Sequence, residues 1–179
     1  MTTSFSNPNA IILLGYMGSG KSTVGKLLAL RKGVVFEDLD DVIAQAQGTS
    51  IPDLFVSHGA KSFRELEHNA LKNCLADTSK KVISLGGGAP CYFDNMKLIN
   101  ATTSHVFYLK ASPKILVQRL FPEKDGRPLI AHTSSESELR EFVAKHLFER
   151  QNFYMDAHHT ISVDHKSIED VVEEIVNLL

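Results

Sequence analysis

Residues 15–22 have the pattern of a phosphate-binding loop. Their sequence, GYMGSGKS, matches G-x-x-x-x-G-K-[ST], follows a short apolar run and precedes a helical pattern, which is the context that this motif requires. Glycines allow main-chain N–H groups to point at phosphates, and Lys21 would reach the β- and γ-phosphates while the Ser22 hydroxyl ligates Mg²⁺. We therefore expect a nucleoside triphosphate to bind through Gly18, Ser19, Gly20, Lys21, Ser22 and Thr23, with Mg²⁺ as cofactor.

A pair of aspartates stands at the end of the second predicted strand. They matter because the loop alone does not distinguish motors, switches and small-molecule kinases. The chain has no N-K-x-D element, which a GTPase switch would be expected to carry, and the strand before Gly86 does not end in an acidic residue. Asp38 and Asp40 share a face in extended backbone, so one would lie near the metal and the other near an acceptor hydroxyl. The alternative is that they cap a helix that begins near Asp41.

Short apolar runs alternate with helical patterns along the chain, which is typical of βα units around a mostly parallel sheet. The runs that are rich in β-branched or aromatic residues are predicted strands, at 10–14, 34–38, 81–85, 105–109 and 160–163. We predict an α/β fold, a three-layer sandwich in which helices flank a five-stranded parallel sheet. Ligands bind at the carboxyl edge of such a sheet, where the loop and the aspartates would lie.

Capping residues mark several predicted helices. Ser50 and Ser112 each stand just before a proline-containing helix start, and Ser167 precedes a run whose apolar residues share one face. Residues 60–76 have the composition and length of a long surface helix. Residues 121–137 fit neither period and are predicted to be a loop. Connections of this length inside a compact domain are often functional lids.

The composition is that of an ordinary globular protein. The 179 residues are 43% hydrophobic and 22% charged, which favours one domain over residues 1–179. A formal charge of −2 argues against a nucleic-acid partner, so any anionic ligand needs local cations. Two cysteines without zinc spacing, no basic segment in the first ten residues and no long apolar span predict a cytoplasmic protein without a membrane partner.

Six motifs follow one another along the chain. They are the phosphate-binding loop, F-x-D-x-D at 36–40, Phe63-Arg64, Gly86-Gly87-Gly88, Arg127-Pro128-Leu129, and Arg150. In the order and spacing of these motifs, over about residues 10–175, the chain resembles the shikimate kinase family of P-loop kinases. The resemblance implies phosphorylation of the shikimate 3-hydroxyl by ATP, giving ADP and shikimate 3-phosphate on the route to chorismate and the aromatic amino acids. It also implies a monomer, acceptor-binding helices at about 40–76 and a mobile lid at about 121–137.

The same resemblance assigns acceptor-binding roles. It implies that Arg64 and Arg150 bind the shikimate carboxylate, for which planar guanidinium groups are well suited. The three glycines at 86–88 would allow the main chain to approach the ring. Asp40 would hydrogen-bond the ring hydroxyls and orient the attacking one, with or without accepting its proton.

Nucleotide-binding roles follow in the same way. The resemblance implies that Lys21 and Arg127 act on the transferring phosphoryl group, with Arg127 carried by the lid. Asp38 would reach Mg²⁺ through water. Arg119 and Pro128 would flank adenine.

Other interpretations of these residues remain open at this point. Arg64 could form a helical ion pair with Glu67, and Arg150 could pair with Glu149 or Glu141. No histidine is given a role. A related kinase that acts on gluconate or another small polyol acid is the nearest alternative function. A nucleotide-binding regulatory module is the alternative of another class, although the paired aspartates and the lid arginine argue against it.

Overall fold

A computed structural model describes residues 7 and 9–179, and its centre is a five-stranded, fully parallel sheet in the order β2-β3-β1-β4-β5. The strands are β1 Ala10–Leu14, β2 Val35–Asp38, β3 Lys81–Ser84, β4 Val106–Lys110 and β5 His159–Ser162. The predicted fold class is confirmed, and each predicted strand end lies within one residue of the observed one. The prediction from the first ten residues falls largely on residues 1–6 and 8, outside the described part.

Seven α-helices flank the sheet in the described part of the chain. They are α1 Lys21–Lys32, α2 Leu39–Gln47, α3 Ile51–Ala76, α4 Asn95–Thr102, α5 Pro113–Leu120, α6 Glu136–Met155 and α7 Ile168–Asn177. The three predicted serine caps are confirmed. Ser50 and Ser112 accept main-chain hydrogen bonds from the third residue beyond them, and Ser167 forms a complete capping box with Asp170.

A bend divides α3 at Gly59, whose φ of 74° and ψ of 168° are not helical. The positive φ strains any other residue type, so glycine permits the bend here. The second part of α3 corresponds to the helix predicted at 60–76. It carries Arg64 and Glu67 three residues apart, which places both side chains on the same face.

The segment predicted to be a loop at 121–137 contains a 3₁₀-helix, Phe121–Gly126, followed by turns. The loop ends earlier than predicted, because Ser135 caps α6 and the helix begins at Glu136. Ile130 lies in the middle of this segment and is fully buried. Thr133, 1% exposed, is buried three residues later, so the segment is held on the body of the protein at these two positions, and its movement as a lid stays a prediction.

The first strand is buried along its whole length, with Ile12 paired to Ile83 on one side and to Val106 on the other. Because all five strands run in the same direction, their carboxyl ends meet at one edge, where the phosphate-binding loop leaves β1 and Asp38 ends β2. Within residues 7 and 9–179, none of the helices has the length and apolar character needed to cross a membrane.

Candidate active site

The phosphate-binding loop joins β1 to α1 and holds Lys21 at the first helical position. Gly20 precedes it with a φ of 97°, a left-handed conformation that favours glycine at the start of this helix. Lys21 Nζ donates to the main-chain oxygens of Gly15 and Tyr16, each at 3.0 Å. Burial lowers the pKa of Lys21 to about 8, and the nearby Asp40 and Asp38 carboxylates oppose that shift. The loop therefore encloses a desolvated cation at the point where phosphates would bind.

Asp38 connects the end of β2 to the phosphate-binding loop. Its Oδ2 accepts a hydrogen bond of 2.7 Å from Ser22 Oγ, and its Oδ1 accepts one of 3.1 Å from the Asp40 amide. Asp38 therefore caps the helix, as the alternative interpretation predicted, and it also contacts Ser22. The expected extended backbone is wrong, because Asp38 caps α2 and helical geometry begins at Leu39, which places Asp40 in the first turn of the helix.

A hydroxyl and a carboxylate at this position suit Mg²⁺, which prefers oxygen ligands and is usually held by few protein groups together with phosphates and water. In the described part of the chain, no cluster of three or more His, Cys, Asp or Glu side chains is arranged to hold a metal ion. Ser22 and Asp38 therefore suit a Mg²⁺ ion that binds together with a nucleotide better than they suit a metal site made of protein ligands alone.

Two cavities meet beside Asp40. One has a volume of about 510 Å³ and is lined by the phosphate-binding loop, Asp38, Arg119 and Arg127. The other has a volume of about 550 Å³ and is lined by both predicted carboxylate-binding arginines and by the aromatic rings of α3. We call them the nucleotide cavity and the acceptor cavity. The residues that line both of them are Met17, Asp40, Gly86 and Gly87.

Asp40 has an environment that suits proton transfer. Burial raises its pKa above the ordinary value, the neighbouring Asp38 adds to that effect, and Lys21 opposes it. A β-carbon at Gly86 would lie 2.7 Å from Asp40 Oδ1 and 3.0 Å from Glu67 Oε1. Glycine at position 86 therefore leaves the space that the Asp40 carboxylate occupies at the junction of the two cavities.

Arg64 lines the acceptor cavity and is held from several sides. It forms an ion pair with Glu67, as the alternative interpretation predicted, and its guanidinium lies among aromatic rings. The guanidinium carbon is 4.4 Å from the ring centre of Tyr92, 5.1 Å from that of Phe63 and 5.7 Å from that of Phe55. Stacking and pairing fix the direction of the planar group, so the ion pair is compatible with ligand binding.

Glu67 is a site residue that the sequence presented only as an ion-pair partner. Its side chain is 1% exposed, and burial raises its pKa to about 7 although Arg64 favours the charged form. It lines the acceptor cavity beside Asp40. Its burial depends on the whole packing of α3, and sequence spacing alone does not reveal that.

Arg150 enters the same cavity from α6. Its Nη1 donates to the main-chain oxygen of Gly87 at 3.4 Å, and no ion pair with Glu141 or Glu149 occurs in the described part of the chain. Tyr154, one turn later, donates to the same Gly87 oxygen at 2.6 Å. The guanidinium of Arg150 is therefore directed into the cavity without a carboxylate partner from its own helix.

The loop at 121–137 brings Arg127 to the nucleotide cavity. Arg127 Nη2 pairs with Glu123 at 2.8 Å, while its Nε is buried without a hydrogen-bond partner among the described residues. Arg119 Nη1 donates to the Gly18 main-chain oxygen at 3.1 Å and lines that cavity too. Pro128 lines the acceptor cavity, and its expected place beside adenine stays a prediction.

His146 also lines the acceptor cavity, although the sequence interpretation gave no histidine a role. Its Nδ1 is 2.9 Å from the hydroxyl oxygen of Tyr16, a residue of the phosphate-binding loop. The sequence spacing could have indicated His146, because it precedes Arg150 by four residues and so shares its face of α6. Nothing in the sequence indicates its hydrogen-bond partner Tyr16, which lies 130 residues away.

Comparison with known proteins agrees with this geometry. A family profile described as shikimate kinase matches residues 17–179. The chain belongs to the shikimate kinase family. A shikimate kinase of Flavobacterium johnsoniae is 42% identical over 169 residues, covering 94% of this chain and 98% of that protein.

Solved structures of the family have the same architecture. The crystal structure of shikimate kinase from Bacteroides thetaiotaomicron matches with a TM-score of 0.86 and 37% identity, covering 94% of this chain and 97% of the other. The Acinetobacter baumannii enzyme, solved in complex with shikimate, gives a TM-score of 0.83 and 30% identity over 97% and 94% of the two chains. These matches favour shikimate kinase over the gluconate kinase and regulatory-module alternatives.

Proposed function

We propose that this chain transfers the γ-phosphoryl group of ATP to the 3-hydroxyl of shikimate, giving ADP and shikimate 3-phosphate for the synthesis of chorismate and aromatic amino acids. The observation that supports this most strongly is that the nucleotide cavity and the arginine-lined acceptor cavity meet at Asp40. Membership of the shikimate kinase family gives independent support, as does the shikimate complex of the related Acinetobacter baumannii enzyme.

The acceptor cavity has the chemistry that a cyclic hydroxy acid needs. Arg64 and Arg150 enter it from different helices, so both guanidinium groups would bind one carboxylate and fix the direction of the ring. Phe55 and Phe63 supply an apolar wall for the carbon face. The main chain at 86–88 also lines the cavity, and a β-carbon at Gly88 would lie 2.5 Å from the Arg64 guanidinium.

The reaction would take place at the junction of the cavities. Asp40 would orient the acceptor hydroxyl and accept its proton as the hydroxyl oxygen forms a bond to the γ-phosphorus. The bond between that phosphorus and the β,γ-bridging oxygen breaks, and ADP leaves with the electron pair. Because its pKa is raised, Asp40 is a stronger base than an exposed carboxylate.

Cations on the nucleotide side would stabilise the charge of the transferring group. Lys21 is fixed inside the loop, and Arg127 lines the nucleotide cavity with a single ion pair, to Glu123, so both would have donors left for phosphate oxygens. Ser22 and Asp38 would hold Mg²⁺, which when bound neutralises phosphate charge. Arg119 would lie beside the nucleotide base.

A coupled assay of ADP release with a panel of hydroxy acids tests the proposal. We expect turnover with shikimate, none with gluconate, and only slow ATP hydrolysis without an acceptor. An Asp40→Asn variant tested in parallel separates chemistry at this junction from a contaminating kinase, because it should lose the shikimate-dependent rate. Turnover with gluconate and none with shikimate would contradict the proposal.

A further inference from the structure

Tyr16 makes contacts with both halves of the candidate site. Its main-chain oxygen accepts the hydrogen bond from Lys21 Nζ, its ring centre lies 6.0 Å from the guanidinium carbon of Arg150, and its hydroxyl meets His146. The side chain is 1% exposed, so these contacts are made in the interior. One residue of the phosphate-binding loop therefore touches the phosphate-binding lysine and the helix that carries an acceptor-binding arginine.

The direction of the Tyr16–His146 hydrogen bond follows from the surroundings. Burial raises the pKa of Tyr16 to about 12, so the phenol keeps its proton. Burial, reinforced by the positive charge of Arg150, lowers the pKa of His146 to about 4, so the imidazole is neutral. Tyr16 donates and His146 Nδ1 accepts, which leaves the imidazole proton on Nε2.

His146 is itself fixed between two rings. The Tyr16 ring packs edge to face against the imidazole, with ring centres 5.6 Å apart. The ring of Phe142, four residues earlier on α6, packs against the imidazole with ring centres 5.2 Å apart. These contacts hold the imidazole in one orientation, one helical turn before Arg150. A shift of Tyr16 would therefore change the position of Arg150.

We propose that Tyr16 and His146 form a positioning link that sets Arg150 relative to the phosphate-binding loop, so that the nucleotide and the acceptor bind cooperatively. The proposal rests on the proposed function, because it takes Arg150 as a ligand of the acceptor carboxylate. Phosphates that draw Lys21 Nζ away from the Tyr16 main-chain oxygen would change the position of Tyr16. The hydroxyl and the ring carry that change to α6.

Binding calorimetry with shikimate, in the presence and absence of saturating ADP, tests the link. We expect the Kd of wild-type protein for shikimate to fall about fivefold or more when ADP is bound. Tyr16→Phe keeps the ring beside Arg150 and removes only the donor, so the ratio of the shikimate Kd without ADP to that with ADP should fall toward one, with a much smaller change in the Kd for ADP alone. A structural role would instead weaken both ligands and lower the Tm.

Substitutions of His146 provide the matched comparison. His146→Asn keeps an acceptor near the position of Nδ1 and should retain most of the coupling, whereas His146→Leu, of similar volume, should lose it. Tyr108→Phe removes a buried phenol oxygen outside both cavities and should leave the ratio as in wild type.

The outcomes separate the two proposals. Shikimate binding with no effect of ADP, or equal coupling in wild type and Tyr16→Phe, overturns the link and leaves the proposed function standing. Wild-type protein that turns over ATP with another acceptor and does not bind shikimate overturns both.

Discussion

Asp40 and Gly86 are so close that a β-carbon on the glycine would lie 2.7 Å from the carboxylate Oδ1. Asp40 comes from the first turn of α2, and Gly86 follows β3, the strand that pairs with β2. The junction of the two cavities therefore depends on the absence of a side chain at one position of the sheet edge.

Gly86→Ala should lower kcat with shikimate by about tenfold or more, because the methyl group would displace the Asp40 carboxylate by an ångström-scale amount. Steady-state kinetics and thermal unfolding measure the effect on activity and stability. Gly126→Ala is the control, since a β-carbon there meets nothing within 4 Å. Wild-type kcat in Gly86→Ala would show that Asp40 tolerates displacement.

Asp40→Asn should lower kcat by about 10²- to 10⁴-fold, which is the usual contribution of a positioned general base. The amide keeps the shape and loses the proton acceptor, so the Kd for shikimate should change much less. Asp41→Asn, an exposed neighbour, is the matched control. If kcat in Asp40→Asn fell less than about threefold, Asp40 would orient the hydroxyl without accepting its proton.

Arg150→Ala should raise KM for shikimate far more than KM for ATP, because it removes a bidentate donor from the acceptor cavity. Arg150→Lys should restore little, since an ammonium does not reproduce the planar pair of donors. Arg140→Ala, on an exposed part of α6, should behave as wild type. Equal increases in both KM values would indicate a structural role for Arg150.

The rate constant kcat/KM for ATP should decrease as pH rises through about 8, because burial lowers the pKa of Lys21 to about 8 in the free protein. Below that pH the ammonium is charged and binds phosphate, and above it the cation is lost. The residual activity of Lys21→Arg should lack this decrease, since a guanidinium stays charged. A wild-type profile that remains level to pH 9.5 would contradict the assignment.

Local chemistry made much of the fold predictable from sequence. Ser112 and Ser167 cap helices through contacts three residues away, and the strands were marked by short apolar runs. The same locality explains one error. Asp38 was expected to continue an extended segment to Asp40, but its side chain caps α2 and begins the helix one residue later.

Contacts between distant parts of the chain were not predictable in this way. The Tyr16–His146 hydrogen bond joins residues 130 positions apart and forms because α6 lies against the loops that follow β1 and β3, where Arg150 and Tyr154 also contact Gly87. Pro128 was expected beside adenine; it lines the acceptor cavity, and the adenine contact stays a prediction. Arg64 and Arg150 were predicted from the family resemblance, and the structure places both in one cavity.

Proton–phosphorus correlation NMR of the product formed from ATP and shikimate tests the proposed reaction most directly. We expect one organic phosphate besides the nucleotides, with its phosphorus coupled to the proton on C3 of the shikimate ring. Coupling to a different ring proton, or release of inorganic phosphate alone, would contradict the proposal that Asp40 presents the 3-hydroxyl to the γ-phosphate.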